Sequence, residues 1–195
     1  SRPLLTGTTV TVVVGREIVG LDAANGRPLW RQPAQGMSFF GAAEDGGRVF
    51  FVSGLGGGGR STNRFGRIVA VDARSGAVAW HYEMQGLLGA PAAAGGLVFV
   101  PWDRQNLAVL DGGSGREIAR MRSTDDVWSF VFAAPSGIFY GSRSVYRLNP
   151  LSYRGVKAGM PRYEPPLGDL PGEPKLYSDG FAAAAVLKSL EPAPL

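Results

Sequence analysis

The 195-residue chain has no cysteine, one histidine (His81) and 45% hydrophobic residues. A disulfide scaffold, a thiolate metal site, a cysteine nucleophile and wholesale disorder are thereby excluded, and a multi-histidine metal site is disfavoured. The formal net charge of +4 comes from scattered Lys and Arg with no basic run, so nucleic acid is not an expected partner, and no stretch approaches the ~18 apolar residues that span a bilayer.

With 29 Gly and 14 Pro, dense punctuation argues for short strands joined by tight turns, an all-β chain. In chain order, Gly7 opens the run TTVTVVV, EIVGLD ends at Asp22, and RPLWRQ follows a turn. Small-residue SFFGAA then precedes Gly47 and RVFFV, RIVAVD ends at Asp72, and AVAWHY follows. The third pass is LLGAPAAA, Gly96, LVFV, NLAVLD ending at Asp111, and REIARM. The fourth, shortened, holds Gly137, IFY and VYRLN ending at Asn149. From each acidic residue to the next unit's glycine the gap is 25, 24 and 26 residues. A period of about 40 residues with four short strands per unit predicts β-propeller blades. The repeat units lie near 5–45, 46–94, 95–135 and 136–159, about four blades in residues 1–159, read as part of a larger ring.

The turn between third and fourth strands repeats in detail. Asp22, Gly26 and Trp30 share the spacing of Asp72, Gly76 and Trp80; Asp111 and Gly115 keep it, with Ala119 at the tryptophan place. In the fourth unit Asn149 stands for Asp and Tyr153 for Gly. The Asp can accept backbone N–H bonds two or three residues on, the Gly can take a left-handed conformation, and the Trp falls on the next strand to pack against a neighbouring blade.

These residues, with Ala70 completing the full A-x-D-x-x-x-G-x-x-x-W pattern and Gly20 in the alanine place, resemble the PQQ-like (quinoprotein-type) β-propeller repeat family over roughly residues 5–158. The resemblance implies a structural role for the motif residues. It implies two branches: quinoprotein dehydrogenases using PQQ and usually calcium, and non-enzymatic scaffolds of the BamB-like type in outer-membrane assembly. The chain lacks the adjacent cysteines often found near the cofactor in the first branch. Its one acidic pair, Asp125-Asp126, sits in a loop. The expectation is therefore a non-catalytic scaffold, with no cofactor, no metal and no catalytic residue, working with other envelope or outer-membrane proteins in the periplasm. A lipid anchor would lie upstream of Ser1, and further blades would come from the same or another chain. A fragment of a PQQ-dependent quinoprotein dehydrogenase and a ligand- or polysaccharide-binding propeller are the alternatives.

Gly54-x-x-x-x-Gly59-Arg60-Ser61 is one letter from a phosphate-binding loop, but Arg60 replaces the lysine and a strand follows in place of a helix, so the insert at 54–66 reads as a surface loop. Arg60, Arg64 and Arg67 are candidate contacts for an acidic partner, and Trp102, in VPWDRQN, is a second candidate, expected to be exposed. Core packing accounts for Phe39, Phe40, Trp128, Phe130 and Phe132, and His81 reads as a strand residue at a blade surface. Residues 160–177 form a Pro-rich linker or strap, and 178–195 a short helix or the start of another blade.

Overall fold

A computed structural model describes residues 3–33, 37–55, 65–122, 127–134, 137–141, 145–147 and 175–178. Every regular element among them is a strand. The first blade is an antiparallel sheet in chain order, β1 (Leu4–Thr6), β2 (Thr9–Val14), β3 (Glu17–Asp22) and β4 (Pro28–Pro33). The second is β5 (Ser38–Asp45), β6 (Arg48–Gly54), β7 (Phe65–Asp72) and β8 (Val78–Gln85), again in order. The third is β9 (Ala92–Ala94), β10 (Leu97–Trp102), β11 (Asn106–Asp111) and β12 (Glu117–Arg122), joined at its outer edge by β16 (Lys175–Ser178). The fourth comprises β13 (Phe130–Ala134), β14 (Gly137–Gly141) and β15 (Val145–Arg147). Each sheet takes in the small-residue strand ahead of the repeat glycine, so the blades are offset from units counted from the glycines.

The chain is an all-β propeller. Two-residue glycine turns close the first hairpins: Gly46 and Gly47 both have positive φ between β5 and β6, as do Gly95 and Gly96 between β9 and β10, a backbone that residues with a Cβ adopt only at a cost. First strands of successive blades approach one another, β1 to β5, β5 to β9 and β9 to β13. Small residues there, such as Gly41 and Ala42 on β5 and Ala92 and Ala93 on β9, permit the close approach; a Cβ on Gly41 would lie 2.6 Å from the Ala90 Cβ.

The core lies between blades rather than within one. Ile18 and Trp30 of the first blade pack on Val49, Phe51, Val71 and Ala73 of the second. Phe50, Val52, Ile68, Ala70 and Trp80 of the second pack on Val98, Val100 and Leu110 of the third. Phe99, Leu107, Val109, Ala119 and Met121 of the third meet Trp128, Val131, Ile138 and Tyr140 of the fourth. Neighbouring residues such as Val49 and Phe50 therefore serve opposite interfaces, as the two-residue strand period requires. Strands buried on both faces read as continuous apolar runs, which is why RVFFV and LVFV do not alternate. Each such side chain contributes about 1.5–3 kcal/mol when fully buried.

Arg60, Arg64, Asp125, Asp126, Asn149, Tyr153 and, apart from 175–178, the whole of 160–195 lie outside the described residues. Among those described, no helix is long and apolar enough to cross a membrane.

Candidate functional site

The repeated Asp–Gly–Trp elements meet at the blade interfaces. Within each turn, the Asp carboxylate organises the loop: Asp22 accepts from the Ala24 amide (2.8 Å), Asp72 from the Ser75 amide (2.8 Å) and hydroxyl (2.7 Å), and Asp111 from the Ser114 amide and hydroxyl (both 2.7 Å). The Gly26, Gly76 and Gly115 amides donate back to the carbonyls of Asp22, Asp72 and Asp111. All three glycines are left-handed, with φ of 72°, 73° and 75°. The Asp72 and Asp111 carboxyls are held below the ordinary carboxylate range, chiefly by the Ser75 and Ser114 hydroxyls.

The tryptophans cross to the next blade. The Trp30 indole N–H donates to the Ala73 carbonyl (2.8 Å), and Trp80 donates to the Gly112 carbonyl (3.0 Å). Each indole closes over the turn glycine it reaches: a Cβ on Gly76 would lie 2.5 Å from Trp30, and one on Gly115 2.5 Å from Trp80. Gly20, paired with Trp30 across β3 and β4, lies so close beneath that indole that a Cβ would meet it at 2.2 Å. At the third interface Ala119 cannot reach across. The buried Trp128 of the fourth blade lies in the same cluster, edge-on to Tyr140 at 5.0 Å.

Sequence reasoning missed several residues that serve the same interfaces. The Gln32 amide donates to the Gly76 carbonyl (2.7 Å). Arg48 donates to the Gly112 (2.7 Å) and Gly113 (3.0 Å) carbonyls, and the Gly96 amide donates to Asp45 (2.7 Å). Tyr82 on β8 makes a short hydrogen bond to Glu117 on β12, which pairs with Arg120 through both carboxylate oxygens (2.7 and 2.8 Å). Burial, with the Glu117 carboxylate beside it, pushes the Tyr82 hydroxyl up to about 12. A signal was available: Gln32 and Tyr82 each stand two residues beyond a docking tryptophan and so share its face.

The two described partner-contact candidates do not converge. Arg67 projects from β7 and pairs with Glu83 on β8 (2.9 Å), beside a cleft of about 330 Å³ between the first two blades that His81 also lines. Trp102 is half-buried where exposure was expected, because it packs on the apolar cluster between the second and third blades and the Arg120 guanidinium lies 4.6 Å over its ring. A wider axial cleft, about 500 Å³, is lined by first-strand residues of successive blades, among them Gly41, Ala43, Glu44, Ala92 and Phe132. Among the described residues, no group of three or more His, Cys, Asp or Glu is placed to hold a metal ion.

Antiparallel blades in radial order, locked by turn glycines under tryptophans, define a PQQ-like β-propeller. The chain belongs to the family described as outer membrane protein assembly factor BamB, which it matches over residues 14–137. No curated protein matches the sequence. Among solved structures, it is similar to BamB from Moraxella catarrhalis, at 19% identity over 74% of this chain and 60% of that one, TM-score 0.48. It is also similar to a europium-containing methanol dehydrogenase, at 19% identity over 64% of this chain and 24% of that one, TM-score 0.46. The WD40 domain of Neurospora crassa Pan2 matches at 10% identity over 99% of this chain and 50% of that one, TM-score 0.54. At 10% identity the likeness to the Pan2 domain is one of fold alone, and the chain spans less than two thirds of the length of each of the three.

Proposed function

We propose that this chain is a non-catalytic propeller scaffold that binds other proteins in a bacterial outer-membrane assembly, working in the periplasm in association with the outer membrane. The observation that carries the reading is the outer edge of the third blade. There β12 pairs in antiparallel register with an extended segment, Ala119 opposite Ser178 through Arg122 opposite Lys175. A blade of this chain thus accepts an added strand at its rim, and the outermost strands β4 and β8 offer the same kind of edge, with no strand neighbour among the described residues. Main-chain pairing of this kind supplies affinity, and side chains on alternate positions supply specificity. Membership of the BamB family supports the same reading. Arg60 and Arg64, in the insert ahead of β7, add positive charge for an acidic partner segment.

The test is a native pull-down from envelope membranes with intact-mass analysis of the chain and everything bound to it. Stable recovery of outer-membrane assembly proteins, with no added cofactor mass, is the expected result. A solitary chain carrying a quinone mass overturns the reading in favour of a fragment of a quinoprotein dehydrogenase.

A further inference from the structure

The first two blade interfaces share a strand register but are not equally filled. Between the second and third blades, Trp102 lies beneath the Arg120 guanidinium, and Glu117 joins Arg120 to the Tyr82 hydroxyl. The corresponding positions between the first and second blades are Ser53 for Trp102, His81 for Arg120, Val78 for Glu117 and Gln32 for Tyr82. An indole, a guanidinium and a phenol thus give way to smaller or shorter groups, and the Gln32 amide turns to the Gly76 carbonyl. All four replacements line the cleft of about 330 Å³ between these blades. The cleft is therefore written into the sequence of this interface, and its size falls at the low end of the range for small-molecule sites.

The lining divides by chemistry. Ile18, Phe39, Phe51, Val69 and Val71 supply apolar walls. The polar groups are rich in donors and gathered on one face of the second blade: Ser53 and Arg67 stand opposite each other across β6 and β7, and His81, opposite Val69, is next along that face. Cross-strand neighbours of this kind lie within reach of one small group. Ser53 is only 4% exposed, and the one hydrogen-bond contact of its hydroxyl is the Met37 sulfur at 3.9 Å. A thioether is a weak acceptor, so this buried hydroxyl is poorly satisfied. Arg67 donates and never accepts, and it repels a cationic head group; its ion-pair partner Glu83 lies outside the lining. The His81 ring presents at least one N–H in any protonation state. We propose that the cleft is a binding site for a small aromatic monocarboxylic acid. Its ring lies against Ile18, Phe51 and Val69, and its carboxylate accepts from Ser53, Arg67 and His81.

Calorimetric titration of the chain with naphthoate, naphthamide and naphthylmethylamine tests this. Naphthoate is expected to bind with a Kd below about 1 mM, the neutral amide about tenfold more weakly, and the cationic amine not measurably. Ser53→Trp gives this interface the residue that Trp102 supplies at the next one, and it is expected to abolish binding while the melting midpoint is kept or raised. Arg67→Met serves as the second variant, because it leaves the apolar walls intact and does not crowd the interface. It is expected to bring naphthoate down to the affinity of naphthamide, about tenfold, with naphthamide unchanged. Absence of naphthoate binding overturns the proposal, as does equal binding of acid and amide. So does a folded Ser53→Trp chain that still binds, or an Arg67→Met chain that keeps its preference for the acid. The proposal rests on none of the partner binding proposed above, and the titration contains no partner protein, so the two readings fail separately.

Discussion

Trp80 and Gly115 belong to different blades, yet the glycine has room for no side chain because the indole occupies that space, 2.5 Å from where a Cβ would stand. The same indole is anchored by its N–H to the Gly112 carbonyl and packs against Phe50 at 5.8 Å between ring centroids. A turn that is locally determined thus becomes the receptor for the neighbouring blade, and the residue that makes the turn possible also makes the docking possible.

Substituting two turn glycines separates these roles. Gly26→Ala places a Cβ in a left-handed conformation with nothing near it and is expected to cost about 1–2 kcal/mol. Gly76→Ala carries the same backbone cost and also drives a methyl into Trp30, adding about 1–3 kcal/mol of overpacking. Chemical denaturation of both variants checks this; equal losses would show that Trp30 does not press on Gly76 in solution.

Trp80 is 9% exposed, and its removal is expected to open a cavity at the interface of the second and third blades. Trp80→Ala should cost about 3–5 kcal/mol. Trp80→Phe keeps much of the apolar contact but removes one of the two donors to the Gly112 carbonyl, which Arg48 still serves, at about 0.5–1.5 kcal/mol. Thermal melts of the pair measure the packing and hydrogen-bond contributions separately.

Acid should weaken the turns. Asp72 and Asp111 lie below the usual value of 3.8 in the folded chain, chiefly through the Ser75 and Ser114 hydroxyls. A lowered folded-state value means the stabilisation is present above the ordinary carboxylate range and is lost as pH falls through the lowered values. Stability is therefore expected to decline below about pH 4, and the Ser75→Ala, Ser114→Ala double variant should show a shallower decline. An unchanged slope in denaturation midpoints across that range would refute the assignment.

Base should act on a different contact. With Tyr82 pushed up to about 12 from 10.0, the neutral phenol is favoured by folding. Its stabilisation is fully present below the ordinary tyrosine value and is lost as pH rises from there through the raised one. Phenolate absorbance followed through an alkaline titration should show a late-ionising component that Tyr82→Phe removes. Glu117→Gln should bring that ionisation earlier, because it removes the carboxylate beside the hydroxyl.

The sequence by itself determined the period, the all-β character and the identity of the turn residues. These follow from local physics: an Asp that caps its own turn, a Gly that tolerates positive φ, and apolar runs too short for anything but strands. Only the tertiary structure decided what each residue touches across a blade boundary. Nothing in the local sequence shows the partners of Gln32 and Arg48, the Gly76 carbonyl and the Gly112–Gly113 pair, which arrive from the next sheet. Trp102 read as exposed because its neighbours in sequence are charged, whereas Arg120, two strands away in the same sheet, lies over its ring. The addition of residues 175–178 to β12 was equally invisible, since edge pairing uses main-chain groups that every sequence possesses. Which blade face stays open was decided at the same level: Val10 and Val49 are the same residue in equivalent strands, and only the presence of a preceding blade leaves one half-exposed and the other buried.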